Sequence, residues 1–406
     1  MRTLPLVVLA GLTGLAGLAC PAGTTTPPDA SISLPVGVNC SATATVSGDA
    51  AALSSALAAA GAGTCVIVQA GTYTGNFQVP GEVSLVGEAG AEVTLQGAEA
   101  SAPTVRLAPG AGLYRVKVVG PPGVKTTGVV IETGPATLRE VTVSGAKLGV
   151  YAICEEDCGR VGILSKLDDV AIVGNSNGLW VNGAQVQVTG GRIAEQQPVS
   201  LSSGLGVVAS NGAKLSMSGT TVEKNGFVGV FIDGTGGTEA GLTEVQVLDN
   251  ADRGVWGQKI AGSAAAPKLR LDRCTVSGNR LAGIGMRESQ GVSISGGRVA
   301  STVVVSVTGE DTLPHDVGDG LGLFSGTTEV LVDGVDLSGN GRSQVLIDQG
   351  GAGIVIKNGT IAPTGEQLGV VVQRTASPVQ SPVTPFEPAA GQELTVSAPA
   401  MPLPSP

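Results

Sequence analysis

Three stretches of this chain carry one pattern at nearly one interval. "TVEKNGFVGV" (221–230) sets Asn225 four residues before Gly229, and a Val-rich strand follows. "QVLDNADRGVWG" (246–257) repeats this with Asn250 and Gly254, and "CTVSGNRLAGIG" (274–285) with Asn279 and Gly283. Glycines opening such strands fall at 128, 149, 178, 206, 229, 254 and 283, on average about 26 residues apart. Self-similarity at a fixed period marks a stack of small units that each bury their apolar face against the next. A unit here holds two or three strands of three to five residues and no helix. It lacks the Leu-x-x-Leu-x-Leu frame of a leucine-rich repeat, and it is too short for a propeller blade of about 40 residues. What remains is an all-β parallel solenoid. In it, equivalent residues pile up in files about 4.8 Å apart.

Asn175, Asn225, Asn250, Asn279 and Asn340 each follow an apolar strand, so they are expected to stack at one corner. Asparagine tolerates the left-handed backbone region better than any residue but glycine, and that tolerance is the reason expected for its use at a tight bend. Lys224 and Asp249, at one position on adjacent turns, are expected to form a surface ion pair.

The chain ends differ from this body. Residues 1–19 read as an export signal, with Arg2 before an apolar core too short to span a bilayer. "LAGLAC" resembles the lipobox of bacterial lipoproteins, in which Cys20 is lipidated; cleavage after Ala19 without lipid is the alternative. On the lipoprotein reading the chain sits in the cell envelope or at the cell surface, and otherwise it is secreted. Residues 20–46 form a tether and N-terminal segment. "SGDAAALSSALAAAGAG" (47–63) is the one clear helix, opening a solenoid domain over 47–375, and 376–406 is a Pro-rich tail. Export implies an oxidising compartment. Cys40 is expected to pair with Cys65 and Cys154 with Cys158, while Cys274 lies at an inward position as an inert thiol. The net charge of −10 and the lack of Lys/Arg clusters argue against nucleic acid. Scattered aspartates could hold calcium, but no Asp-rich calcium repeat supports it, so no metal or cofactor is expected.

The Asn-x-x-x-Gly files, together with "GTYTGNFQVPGEVSLVGEAGAEVTLQG" after the helix, resemble the right-handed parallel β-helix, or pectin-lyase-like, superfamily over about residues 47–375. The resemblance implies about a dozen turns, a capping helix and, in many members, enzymes acting on acidic polysaccharides. Their motifs are missing here: Asp168-Asp169 stands alone without Gly-His-Gly, "GTYTGN" lacks the acid of the methylesterases, and Trp-x-Asp-His is absent. "LPHD" (313–316) is similar to the Asp-Pro-His-Asp of mannuronan epimerases, but Leu313 replaces the first acid.

In each Gly-φ-X-φ strand the first and third residues after glycine face the core and the second faces out. The outward file reads Tyr151, Trp180, Val208, Phe231 and Trp256, with Phe324 as a further member, although the whole chain has only ten aromatics. Beside it run Asn182 and Gln258, then Asp233 and Arg287. Rings flanked by amides can grip a sugar chain, stacking on pyranose faces while polar neighbours take hydroxyls. The expected carbohydrate-binding residues are therefore Tyr151, Trp180, Phe231, Trp256, Asn182 and Gln258. Two other readings stay open: rings stacked beneath a covering segment such as the tail, or a register inverted so that they form the core. The leading function is a monomeric exported protein that binds extracellular or cell-wall polysaccharide. The alternatives are a lyase, hydrolase or epimerase using Asp233, Arg287 or His315, and a structural spacer.

Overall fold

The computed structural model describes residues 33–99, 101–121, 126–132, 134–154, 164–200, 203–308 and 314–374. The described strands form three sheets of 13, 13 and 12 strands, parallel except for Val305–Thr308, and the chain visits them in rotation. One turn shows the order: Lys214–Ser218 in the first sheet, Thr221–Glu223 in the second and Val230–Asp233 in the third. Each strand pairs with its counterpart in the neighbouring turn, as Val230↔Val255 and Ile232↔Gly257 do. This is a right-handed parallel β-helix of about a dozen turns, as the repeat requires. The coil starts earlier than residue 47, because Ala42–Val46 already pairs with Thr64–Val68. Between them the helix Ala50–Ala59 is capped by Asp49, which accepts from the Ala52 N–H at 2.9 Å, and buries Leu53 and Leu57. Cys40 and Cys65 form the expected disulfide.

The core is a column of aliphatic side chains. Val222, Val230, Ile232, Val247 and Val255 lie in it, each sealed from solvent. Alternation along a strand sends every second residue inward, which is why three-residue strands such as Thr-Val-Ser suffice.

The asparagines stack as expected, but for another reason. None of the five has a positive φ; the residue just before each takes it, as Lys224 (52°), Asp249 (54°) and Gly278 (68°) do. The asparagines instead turn their amides inward and join successive turns. Asn225 Nδ2 donates to Asn250 Oδ1 at 2.8 Å, and Asn250 Nδ2 donates to Asn279 Oδ1 at 2.8 Å. Gln196 fills the rung between Asn175 and Asn225, and Thr302 the rung before Asn340. The glycine four residues on belongs to the same device. A Cβ on Gly206, Gly229 or Gly254 would lie 2.7 Å from the Asn225, Asn250 or Asn279 amide nitrogen of the next turn. A buried amide needs partners, and only glycine leaves room for it. Lys224 and Asp249, spent on the bend, do not pair; Lys224 stands 4.0 Å from Glu223 instead.

Candidate functional site

The aromatic file lies on the outer side of the third sheet. Tyr151 pairs in register with Trp180, Trp180 with Val208, Val208 with Phe231, and Phe231 with Trp256. Their strand neighbours Val230, Ile232 and Val255 belong to the main core, whereas the rings form a separate cluster. The register is therefore as read, not inverted. Phe324 is the exception: Gly285 and Gly322 continue the file, and Phe324 stands one file over, opposite Arg287 and Asp348. The glycines explain the shift. The Trp256 ring lies across Gly285 and the Phe324 ring across Gly322, so that a Cβ on either would strike the ring at 2.4 Å. The two rings meet at 6.0 Å.

Facing outward, the rings are nevertheless enclosed. Trp256 and Phe231 are 0% exposed and Trp180 is 3%, while Tyr151 is half-buried. The polar flank is turned onto itself. Asn182 donates to the Tyr151 hydroxyl at 3.0 Å, Gln258 donates to Asp233 at 2.9 Å, and Trp180 Nε1 donates to Ser210. The Arg253 guanidinium stands 4.4 Å from the Trp256 ring centre and pairs with Asp252 at 2.8 Å. The expectation of open ring faces in a groove is thus corrected: in this structure they offer no surface on which a pyranose could stack.

Two of the weak catalytic candidates do share a file, Asp233, Gln258 and Arg287 on successive turns. Both are engaged. Asp233 is buried and accepts from Gln258 and from the Thr235 N–H, and Arg287 pairs with Glu288 at 2.8 Å. His315 sits apart, half-buried in a hairpin where Val305–Thr308 runs antiparallel to the start of Pro314–Phe324. Leu313, Cys20 and Cys158 lie outside the described residues. Cys154 is disulfide-bonded. Among the described residues no group of three or more metal-ligating side chains comes together.

One open site lies on the first sheet. A groove of about 440 Å³ runs over its outer face, walled by Ala266 and Pro267. Lys214, Glu239, Lys268 and Arg270 line it. Lys166 lies in the Arg270 file, four strands before it. Lys166, Lys214 and Arg270 are exposed and, among the described residues, none has an ion-pair partner; Lys268 pairs with Glu239. Cations thus stand on the first, third and fifth of five consecutive strands, with Lys214 two residues out of the file that Lys166 and Arg270 share. The patch is net positive in a chain of net charge −10. Sequence reading missed it, although "KLD" at 166, "KLS" at 214 and "KLR" at 268 carried the signal.

A right-handed parallel β-helix of pectin-lyase-like fold, with a cationic groove on one sheet, is the class these features define. Residues 127–299 match the family model described as "Right handed beta helix region". No curated protein matches. Among solved structures, the catalytic unit of a GH87 α-1,3-glucanase from Streptomyces thermodiastaticus is 15% identical with a TM-score of 0.52, covering 86% of this chain and 70% of that one. The A-module of a mannuronan C-5 epimerase from Azotobacter vinelandii is 13% identical with a TM-score of 0.48, over 82% and 94%. A polygalacturonase from Erwinia carotovora is 15% identical with a TM-score of 0.43, over 87% and 99%.

Proposed function

We propose that this chain is an exported, lipid-anchored β-helix protein that binds an anionic polysaccharide along the groove of its first sheet. One observation carries the reading: Lys214 and Arg270 line an open groove two turns apart, and Lys166 stands two turns further along the same sheet, all unpaired among the described residues, on an otherwise acidic molecule. A linear chain of carboxylate- or sulfate-bearing sugars laid along the coil axis meets a cation at a regular step. Each contact is a charge-assisted hydrogen bond, stronger than one between neutral groups. The reading is binding rather than cleavage, because Glu239 is the single carboxylate lining the groove and Lys268 holds it. The glucanase of like fold acts on a polysaccharide, but at 15% identity that likeness carries the fold alone.

The test is affinity electrophoresis and a glycan array with neutral and acidic polysaccharides, on the full chain and on Lys214→Glu/Arg270→Glu. Retention by acidic glycans, lost at least tenfold in the variant and weakened by added salt, is the expected result. An unaltered variant, or a chain that ignores every acidic glycan, overturns the proposal.

A further inference from the structure

The wall of the first-sheet groove is an insertion without a counterpart on the next turn. Between Val255–Gln258 and Leu269–Asp272 the connection takes residues 259–268, whereas 288–289 suffice between Leu281–Arg287 and Gln290–Ser295. The insertion closes on itself at its tip. The Ser263 N–H donates to the Ala266 carbonyl at 3.2 Å, and the Ala266 N–H donates to the Ser263 carbonyl at 3.1 Å. Ala266 and Pro267 then line the groove. The other side of the loop is held from later turns. The Gly262 N–H donates to the Gln290 carbonyl at 3.0 Å, and the Ala264 N–H donates to Glu329 Oε2, 65 residues away, at 2.7 Å. The second oxygen, Glu329 Oε1, accepts from Gln290 Nε2 at 2.9 Å.

We propose that Glu329 is a positioning residue that holds this loop as the apolar wall of the groove, and that the wall supplies the part of glycan binding that charge does not. The wall's part in binding rests on the glycan reading of the groove. Backbone geometry singles out the residue. Glu329 lies within the strand Thr328–Asp333 at φ 51°, in the left-handed region. Opposite it on the previous turn stands Gly291 (69°), between the pairs Gln290↔Thr328 and Val292↔Val330, and Gly353 (77°) lies against it on the following turn. Glycine enters that region freely, and a residue with a Cβ does not. Both neighbours in this file are glycine, so the glutamate costs the coil stability that a third glycine would not, and its carboxylate is what the coil gains. Gly291 is fixed for a related reason: a Cβ there would strike the Ser263 backbone nitrogen, in the loop itself. With the loop pinned, Ala266 and Pro267 present an apolar edge beside Lys214 and Arg270. A sugar ring matches both, its C–H side packing on the alanine and proline while its acid group meets a cation. Salt screens the cation contacts and leaves the apolar ones.

Glu329→Gly in the full chain separates a latch from a mere prop, since it removes the carboxylate while relieving the left-handed backbone. Urea unfolding is expected to show a global stability close to the parent's, whereas amide exchange through residues 262–266 becomes severalfold faster. In affinity electrophoresis with alginate and with dextran sulfate, low-salt retention falls severalfold and the portion that survives high salt disappears. Lys214→Glu/Arg270→Glu gives the converse, losing the salt-sensitive portion with loop exchange unchanged. Glu329→Gln keeps an oxygen for the Ala264 N–H and restores both readouts to the parent's. Exchange in Glu329→Gly no faster than in the parent overturns the latch, and a loosened loop with unchanged retention overturns the wall's part in binding. A parent that ignores both polymers and every acidic glycan of the array instead overturns the glycan reading, and the wall's part with it, while the exchange result still decides the latch.

Discussion

Asn250→Ala removes one rung from the amide ladder, and its cost follows from the contacts. The Asn250 side-chain oxygen accepts from the Asn225 backbone N–H at 3.1 Å and from Asn225 Nδ2 at 2.8 Å. Its Nδ2 donates to Asn279 Oδ1 at 2.8 Å and to the Val222 carbonyl at 3.4 Å. After truncation Asn279 Oδ1 keeps the Asn250 backbone N–H, and Asn225 Nδ2 keeps a longer bond to Ile193. The Asn225 backbone N–H loses its acceptor, and water cannot reach it, since Asn225 is 1% and Asn250 0% exposed. One buried donor left without a partner costs about 1–3 kcal/mol, and the half-relieved amide adds to that, for a total of about 2–4 kcal/mol. Lys224→Ala, one residue from the rung below, removes only an exposed side chain 4.0 Å from Glu223 and is expected to cost under about 0.5 kcal/mol. Urea unfolding followed by circular dichroism gives both differences. Hydrogen exchange adds the local reading, with protection lost first around Thr221–Glu223 and Gln246–Leu248. An Asn250→Ala loss below about 1 kcal/mol, or equal to that of Lys224→Ala, refutes the ladder as a load on stability.

Two further outcomes are fixed by burial. Burial pushes the Cys274 thiol above its ordinary value, and its S–H donates to the Leu242 carbonyl at 3.4 Å; a thiol reagent at pH 8 should therefore react only as urea unfolds the coil, and rapid labelling of the folded chain counts against the packing. Burial likewise pushes the Asp252 carboxyl up, with Arg253 offsetting only part of it, despite the 2.8 Å contact. A raised folded value means a contribution present below the ordinary aspartate range and lost as pH rises through the folded value. The stability of the parent relative to Asp252→Asn should accordingly grow as pH falls, whereas a gap that shrinks on acidification would show that the Arg253 pair dominates.

Much of the coil was legible because its rules are local. Period, alternation and the Asn-to-Gly spacing each depend on a turn and its immediate neighbour. The role of asparagine was misread for a physical reason: backbone tolerance and side-chain bonding favour the same residue at a corner, and only the dihedral of Lys224 or Asp249 tells them apart. Phe324 was displaced because Gly285 and Gly322 make room for rings, an effect that acts between files and not along the chain. The enclosure of Trp180 and Trp256 could not be read from the strands, since inward and outward are set by alternation while cover is set by whatever else packs there. The groove was spelled in three Lys-Leu pairs far apart in sequence, and it becomes a patch only when the turns are stacked.

The separation of groove and stripe onto different sheets has an electrostatic consequence. At physiological ionic strength fields are screened over about 8 Å, so the distant acidic groups of the chain do not cancel the charge at Lys166, Lys214 and Arg270, and that charge does not draw in a distant polyanion. Attraction acts only on a ligand already within one or two turns of the groove. A glycan must then be presented at close range, and each further cation engaged adds a short-range contact to a chain already aligned. Affinity is thus expected to rise steeply with glycan length until Lys166, Lys214 and Arg270 are all spanned, and to level off beyond that. A length dependence without that plateau would place the binding surface elsewhere than in this groove.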